Sequence, residues 1–197
     1  MLGRMMVCLC ASAGLARAVG AQQGTRLAAT LGVGTGSATL ACRACTHAGN
    51  MGGSTGTLLL TSSPEPHVRV GASLDYWWHA RETWERGVWG ISVVGFYYPG
   101  TVRHGFYIGG GPSYSMMFAT VTDSTALQRH GWGLLTEMGF EVQPRATLSF
   151  TPYVQYSYAY VGDIFYPKGS GVAWARDWRH AVVSMGLGLT YHAHARR

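Results

Sequence analysis

From Gln22 to Tyr191 the chain alternates apolar and polar residues with a period of two. That is the spacing of a strand whose two faces meet different surroundings, not the 3.6-residue spacing of a helix. Between Thr25 and Ser37, Leu27, Ala29, Leu31 and Val33 alternate with Arg26, Ala28, Thr30, Gly32 and Gly34. Between His67 and Trp78, Val68, Val70, Ala72, Leu74, Tyr76 and Trp78 oppose Arg69, Gly71, Ser73, Asp75 and Trp77. The pattern recurs over Val88–Tyr98, Gly105–Phe118, Gly131–Val142, Thr147–Val161 and Arg179–Tyr191. It is weakest over Thr55–Ser62, where Leu58, Leu59 and Leu60 run together. Eight strands are therefore expected, with connections of 17, 4, 9, 6, 12, 4 and 17 residues on these boundaries. Long and short connections alternate, and the short ones carry turn chemistry: Ser63-Pro64-Glu65-Pro66, Pro99-Gly100 and Gln143-Pro144-Arg145-Ala146.

Alternation does not say which face points outward, and composition supplies that. Apolar residues make up 47% of the 197, yet charged residues are only 12%, about half the share of roughly 25% in soluble domains. A soluble barrel needs charge on its exterior, but the polar face here is mostly Gly, Ser and Thr. Small residues suit the crowded interior of an eight-stranded barrel, and Gly contributes 28 positions. The apolar face is then expected to meet lipid. Charges assigned to the inner face carry both signs (Arg26, Arg69, Asp75, Glu137 and Glu141, with Arg179 at a strand end) and are expected to pair across the lumen. Aromatics fall at both strand ends: Tyr76, Trp78, Trp89, Trp132, Tyr158 and Tyr160 on the loop side, and Tyr97, Phe106, Phe140, Phe150 and Tyr191 on the turn side. Two such belts match the interfaces of a membrane.

The first 21 residues read as a signal peptide: Arg4, then an apolar stretch from Met5 to Ala16, then Val19-Gly20-Ala21 at the cleavage positions. Residues 22–197 then form one barrel domain, with both termini periplasmic. Cys8 and Cys10 leave with the signal, and neither fits a lipid-anchor pattern. Loss of Arg4 and Arg17 reduces the formal net charge from +6 to +4. No run of Lys or Arg suggests nucleic acid as a partner. Of the remaining cysteines, Cys42 and Cys45 are read as a local disulfide in an oxidising compartment, with a metal site or redox pair as alternatives. Thr46 stands where a haem-attachment motif needs His. No cofactor is expected.

On this architecture, and on the last strand Val183-Ser184-Met185-Gly186-Leu187-Gly188-Leu189-Thr190-Tyr191, the chain resembles the small eight-stranded outer-membrane barrels, the OmpA membrane domain and OmpX-like group. The resemblance implies a monomeric transmembrane barrel in the bacterial outer membrane, met by lipid, lipopolysaccharide and the outer-membrane assembly machinery. The chain departs from that group in its polar tail, His192 to Arg197. A structural or surface-interaction role is expected, and its candidate surfaces are the disulfide-tied first loop and the last loop, with Phe165, Tyr166, Lys168, Trp174, Arg176 and Trp178. Three alternatives stand beside it: a small-solute pore, a soluble periplasmic barrel around an apolar ligand, and a lipid-modifying enzyme. For the enzyme, no His is followed by Ser two positions later, and the nearest approach is His180 with Ser184, with Glu137 or Glu141 to orient the His.

Overall fold

The computed structural model describes residues 26–43, 49–81, 84–100, 105–121, 125–165 and 173–193. The signal-peptide segment and Cys45 lie outside them, as do Tyr166 and Lys168. Eight strands follow one another: β1 (Arg26–Arg43), β2 (Gly49–Glu65), β3 (Val68–Arg81), β4 (Trp84–Tyr97), β5 (Gly105–Val121), β6 (Thr125–Arg145), β7 (Leu148–Phe165) and β8 (Ala173–Ala193). Each pairs antiparallel with the next, and β8 returns to β1 to close the barrel. No described helix is long and apolar enough to cross a membrane, which says nothing against a barrel that crosses with strands. Closure leaves no unpaired sheet edge, the condition for placing β-structure in lipid.

The outward face carries the apolar residues. Leu31, Val33, Ile91, Val93, Leu134, Met185 and Leu187 are all 59% or more exposed, an arrangement that would be unfavourable in water and suits hydrocarbon. At the end bearing the β1–β2, β3–β4, β5–β6 and β7–β8 connections, called here the loop end, rings pair across strands. Tyr76 lies 4.3 Å from Trp89 and Tyr114 lies 5.0 Å from Trp132, centroid to centroid. At the opposite turn end Phe106 faces Phe140 and Tyr191 faces Leu148 in register.

The strands run well past the boundaries that alternation predicts. The four loop-end connections shorten to 5, 2, 3 and 7 residues, and the three at the turn end are 2, 7 and 2. The long–short contrast therefore belongs to the apolar pattern and not to the backbone. In β1 the cause is visible. Leu27, Leu31 and Val33 point outward and Thr30 inward, but further along the exposed residues are Thr35, Ser37 and Thr39 while Ala38 and Leu40 are buried inside. Side chains keep their sides and polarity inverts, because beyond the lipid the exterior meets water and the interior packs as an ordinary core. Backbone pairing continues unchanged through Ser37↔Gly52 and Leu40↔Gly49. β2 and β6 gain most, extending Thr55–Ser62 to Gly49–Glu65 and Gly131–Val142 to Thr125–Arg145; β2 resolves the leucine run by turning Leu58 and Leu60 outward and burying Leu59.

Inward glycines make room for inward rings. A Cβ on Gly109 would meet Phe96 at 2.7 Å, one on Gly139 would meet the Tyr107 hydroxyl at 2.6 Å, and one on Gly186 would meet the Tyr153 hydroxyl at 2.7 Å. Each glycine stands directly opposite its ring in the register, so the ring lies across the bare backbone of the next strand.

Candidate functional sites in the lumen and at the loop end

Four layers fill the lumen. Next to the turn end, Glu141 on β6 is fully buried. The Arg69 guanidinium on β3 lies 3.0 Å from its Oε2 and His192 Nε2 on β8 lies 3.0 Å from its Oε1. Ser149 Oγ on β7 donates to Oε1 at 2.6 Å and the Tyr98 hydroxyl donates to Oε2 at 3.1 Å. Arg69 also stands over the Tyr98 ring, 5.0 Å from its centroid. An apolar layer of Leu59, Val94, Phe96, Tyr98, Tyr107 and Leu135 comes next.

The third layer holds two carboxylates. Asp75 accepts from Ser73 at 2.7 Å, Thr57 at 3.0 Å and Gln155 Nε2 at 2.8 Å. Glu137 accepts from the Tyr107 hydroxyl at 2.6 Å and from the same Gln155 nitrogen at 3.3 Å. No cation pairs with either among the described residues. Neutral donors hold both, and Gln155 ties one to the other. The loop end is closed by Ala38, Leu40, Trp77, Val88, Met117, Val161, Trp178 and Val182. Among the described residues one cavity of about 20 Å³ is bordered by Glu137 and Tyr153 and another by Asp75 and Gln155; each has room for about one water.

The predicted inner charges thus divide. Arg69 and Glu141 meet, whereas Asp75 and Glu137 are held by amide and hydroxyls instead of by ion pairing. The Arg26 backbone begins β1 opposite Ser63, but its side chain lies outside the described residues. Two expectations are corrected. Arg179 is not in the lumen: it is exposed on the outer wall, its guanidinium 5.9 Å from the Tyr160 ring centroid. Trp178, expected on a surface loop, has no exposed area and forms part of the loop-end core. Both follow from the polarity inversion, which places a charge outside and an aromatic inside at that level of β8. Arg176 is exposed, while the side chains of Cys42, Phe165 and Trp174 lie outside the described residues.

The lumen also assembles residues that sequence reasoning did not connect. Ser149, His192 and Glu141 meet within hydrogen-bond distance, Ser149 Oγ lying 2.9 Å from His192 Nε2. Their spacing is not that of a hydrolytic triad. Glu141 and Ser149 approach the same ring nitrogen, so the carboxylate does not orient the ring from its other side. The three side chains are also sealed in, at 0–2% exposure. The only prior signal was the position of His192 directly after the terminal aromatic, which places it on the inner face. His180 is fully buried, with both ring nitrogens lacking a hydrogen-bond partner among the described residues. Ser184, the partner considered for it, donates to Gln155 Oε1 at 3.4 Å instead.

No family model matches the chain and no curated relative is found. Solved structures do resemble it. OprG from Pseudomonas aeruginosa aligns at 16% identity over 87% of this chain and 96% of its own, with a TM-score of 0.53. Neisserial surface protein A aligns at 14% identity over 84% and 96%, with a TM-score of 0.52. Ail, the attachment invasion locus protein of Yersinia pestis, aligns at 10% identity over 85% and 99%, with a TM-score of 0.51, in a complex with the heparin analogue sucrose octasulfate. At these identities the likeness concerns the fold: this chain has the up-and-down architecture of the eight-stranded outer-membrane β-barrels, the OmpA and OmpX-like group.

Proposed function

We propose that the protein is an integral outer-membrane barrel, without enzymatic activity, that works through its loop-end rim. The observation that carries this reading is the filled interior. Two apolar layers and two hydrogen-bonded polar layers occupy the lumen, which leaves the outer wall and the rim as the surfaces able to meet anything. On this reading residues 1–21 are removed on export and both termini lie in the periplasm. The loop end then faces outward, and the barrel acts as a monomer.

The rim is a set of extended hairpins. Thr39 Oγ1 donates to Asn50 Oδ1 at 2.6 Å in the first. In the last, Tyr160 donates to Asp177 Oδ1 at 3.1 Å and the Asp177 amide donates to Asp163 Oδ1 at 3.0 Å. Asp177 takes a φ of 53°, a left-handed turn that marks a break in strand pairing. Arg176 supplies an exposed cation to this hairpin, and Cys42 and Cys45 would staple the first. The sulfated ligand carried by the Ail structure makes a sulfated oligosaccharide a reasonable first soluble probe for this rim.

Membrane fractionation combined with gel mobility before and after boiling tests the location. A detergent-extracted band whose mobility changes on boiling is expected, and a soluble protein without that change would overturn the reading. For the rim, cells displaying the protein should bind a surface probe that variants with shortened β1–β2 and β7–β8 hairpins do not. Equal binding by those variants would remove the rim from the function.

A further inference from the structure

We propose that the loop-end mouth of the barrel binds a small tetrahedral oxyanion, phosphate or a phosphate monoester, between Arg86 on β4 and Arg129 on β6. The proposal rests on the rim reading above and deepens it by naming what enters the mouth. Among the described residues, β6 is the one strand that gives no apolar side chain to the loop-end core. Its inward position there is Arg129, which stands in one hydrogen-bonding line with Trp77, Val88 and Met117. Arg86 is the next inward residue beyond Val88 toward the loop end, opposite His79. Both arginines are half-buried. They break the polarity inversion, because the inward residues beneath them are apolar: Trp77, Met117 and Trp178 are each 2% exposed or less. An arginine set over such a floor lays its stem on the apolar surface and keeps its guanidinium at the mouth, where solutes arrive.

The neighbours of the pair fit an anion. Arg86 Nη1 lies 3.8 Å from Met51 Sδ, a weak acceptor that an oxyanion outcompetes. His79 stacks on Trp77 with the ring planes 8° apart, and its Nδ1 donates to the Gly52 carbonyl, which fixes the wall beside Arg86. Of the described carboxylates at this end, Glu85 faces outward, and Asp163 and Asp177 accept from the Asp177 amide and the Tyr160 hydroxyl. The exposed Arg176 adds positive charge to the same rim. Geometry then selects the ligand. β5 separates the two arginines, so their strands lie about 9–10 Å apart, and the guanidiniums reach a common centre from two sides. A planar carboxylate has two oxygens, enough for one guanidinium fork, whereas a phosphate has enough for two. The interior of an eight-stranded barrel is only wide enough for side chains. A polymer therefore cannot thread into it, and a small ion or the phosphate end of a small molecule can.

Isothermal titration calorimetry of the full-length barrel in a sugar-headed detergent, at constant ionic strength, tests this with inorganic phosphate, glucose 1-phosphate and acetate. Saturable binding of at least one phosphate compound is expected, at least tenfold tighter than any binding of acetate. Tighter binding of glucose 1-phosphate assigns the site to a monoester, and tighter binding of inorganic phosphate assigns it to the free ion. Arg86→Gln and Arg129→Gln should each weaken the better ligand at least tenfold, while Arg145→Gln, an exposed arginine at the turn end, should leave it unchanged. Each variant is first checked for the mobility change on boiling. Where a glutamine variant fails that check, the lysine variant at the same position replaces it, with at least threefold weaker binding expected because an ammonium makes no fork. Acetate bound as tightly as phosphate, or phosphate binding undiminished in the folded Arg86 and Arg129 variants, would overturn the proposal. A wild type without the mobility change refutes the barrel reading, whereas one that shows it and binds neither phosphate compound refutes this proposal alone.

Discussion

His192 Nε2 lies 3.0 Å from Glu141 Oε1 inside the turn end of the barrel. The contact explains how a chain continues past its terminal aromatic without fraying. Tyr191 faces outward at 58% exposure, and the next residue turns inward to the carboxylate. His192 also sits opposite Ala28, at the seam where β8 closes on β1. Glu141 on β6 thereby gathers β3, β7 and β8 at the point where the barrel shuts.

Removing that carboxylate is expected to leave Arg69 buried without a counter-ion. Glu141→Ala should lower unfolding stability by about 3–5 kcal/mol, whereas the paired change Arg69→Met with Glu141→Leu should cost less than the single substitution. Guanidinium unfolding in detergent measures both. A single variant no worse than the double would show that the ion pair is not what matters here.

Gly139 is expected to tolerate no methyl group at its present spacing, because a Cβ would meet the Tyr107 hydroxyl at 2.6 Å and the Pro152 carbonyl at 2.8 Å. Gly139→Ala should cost about 1–3 kcal/mol through overpacking and loosen the Tyr107 bond to Glu137. Gly95→Ala, with nothing within 4 Å of its Cβ, should stay within about 0.5 kcal/mol of wild type. The comparison is made by the temperature at which the folded band disappears on a gel. Equal losses in the two variants would count against the ring-over-glycine packing.

Gln155 reaches both Asp75 and Glu137 with its side-chain amide. Gln155→Leu is therefore expected to cost more than Ser73→Ala, since it deprives two buried carboxylates of a donor and Ser73→Ala only one. An unsatisfied buried acceptor costs about 1–3 kcal/mol, and more when charged. The same unfolding experiment ranks the two, and the reverse order would mean that the carboxylates find other donors.

Tryptophan fluorescence separates inside from outside. With Trp132 as its only tryptophan, the barrel in vesicles should be strongly quenched by lipids brominated on their acyl chains. With Trp178 as its only tryptophan, it should be nearly unaffected, because that ring has no exposed area. Strong quenching of Trp178 alone would mean that the faces are reversed.

Planar-bilayer recordings of the pure protein should show no stepwise conductance, since the lumen is packed through all four layers. Steps that persist at low protein concentration would require the layers to open.

Eight strands and an apolar exterior were legible in the residues because a strand's side chains alternate strictly and lipid selects one side of it. The belts at Trp132, Trp89, Phe106 and Tyr191 were legible for the same reason. Within the lipid, local order and hydrophobicity point the same way. Outside it they part: Arg179 and Trp178 were assigned to the wrong surroundings because polarity inverts along β8 while the side chains keep their sides. No periodicity marks that crossing, because it depends on where the membrane ends and not on the neighbouring residues. The partners in the lumen needed the closed barrel. Glu141 meets Arg69 and His192, which are 72 and 51 positions away in the chain, and which inward groups meet depends on strand register and closure. The sequence by itself determined which residues face out and which face in within the membrane; only the tertiary structure decided which inward residues touch.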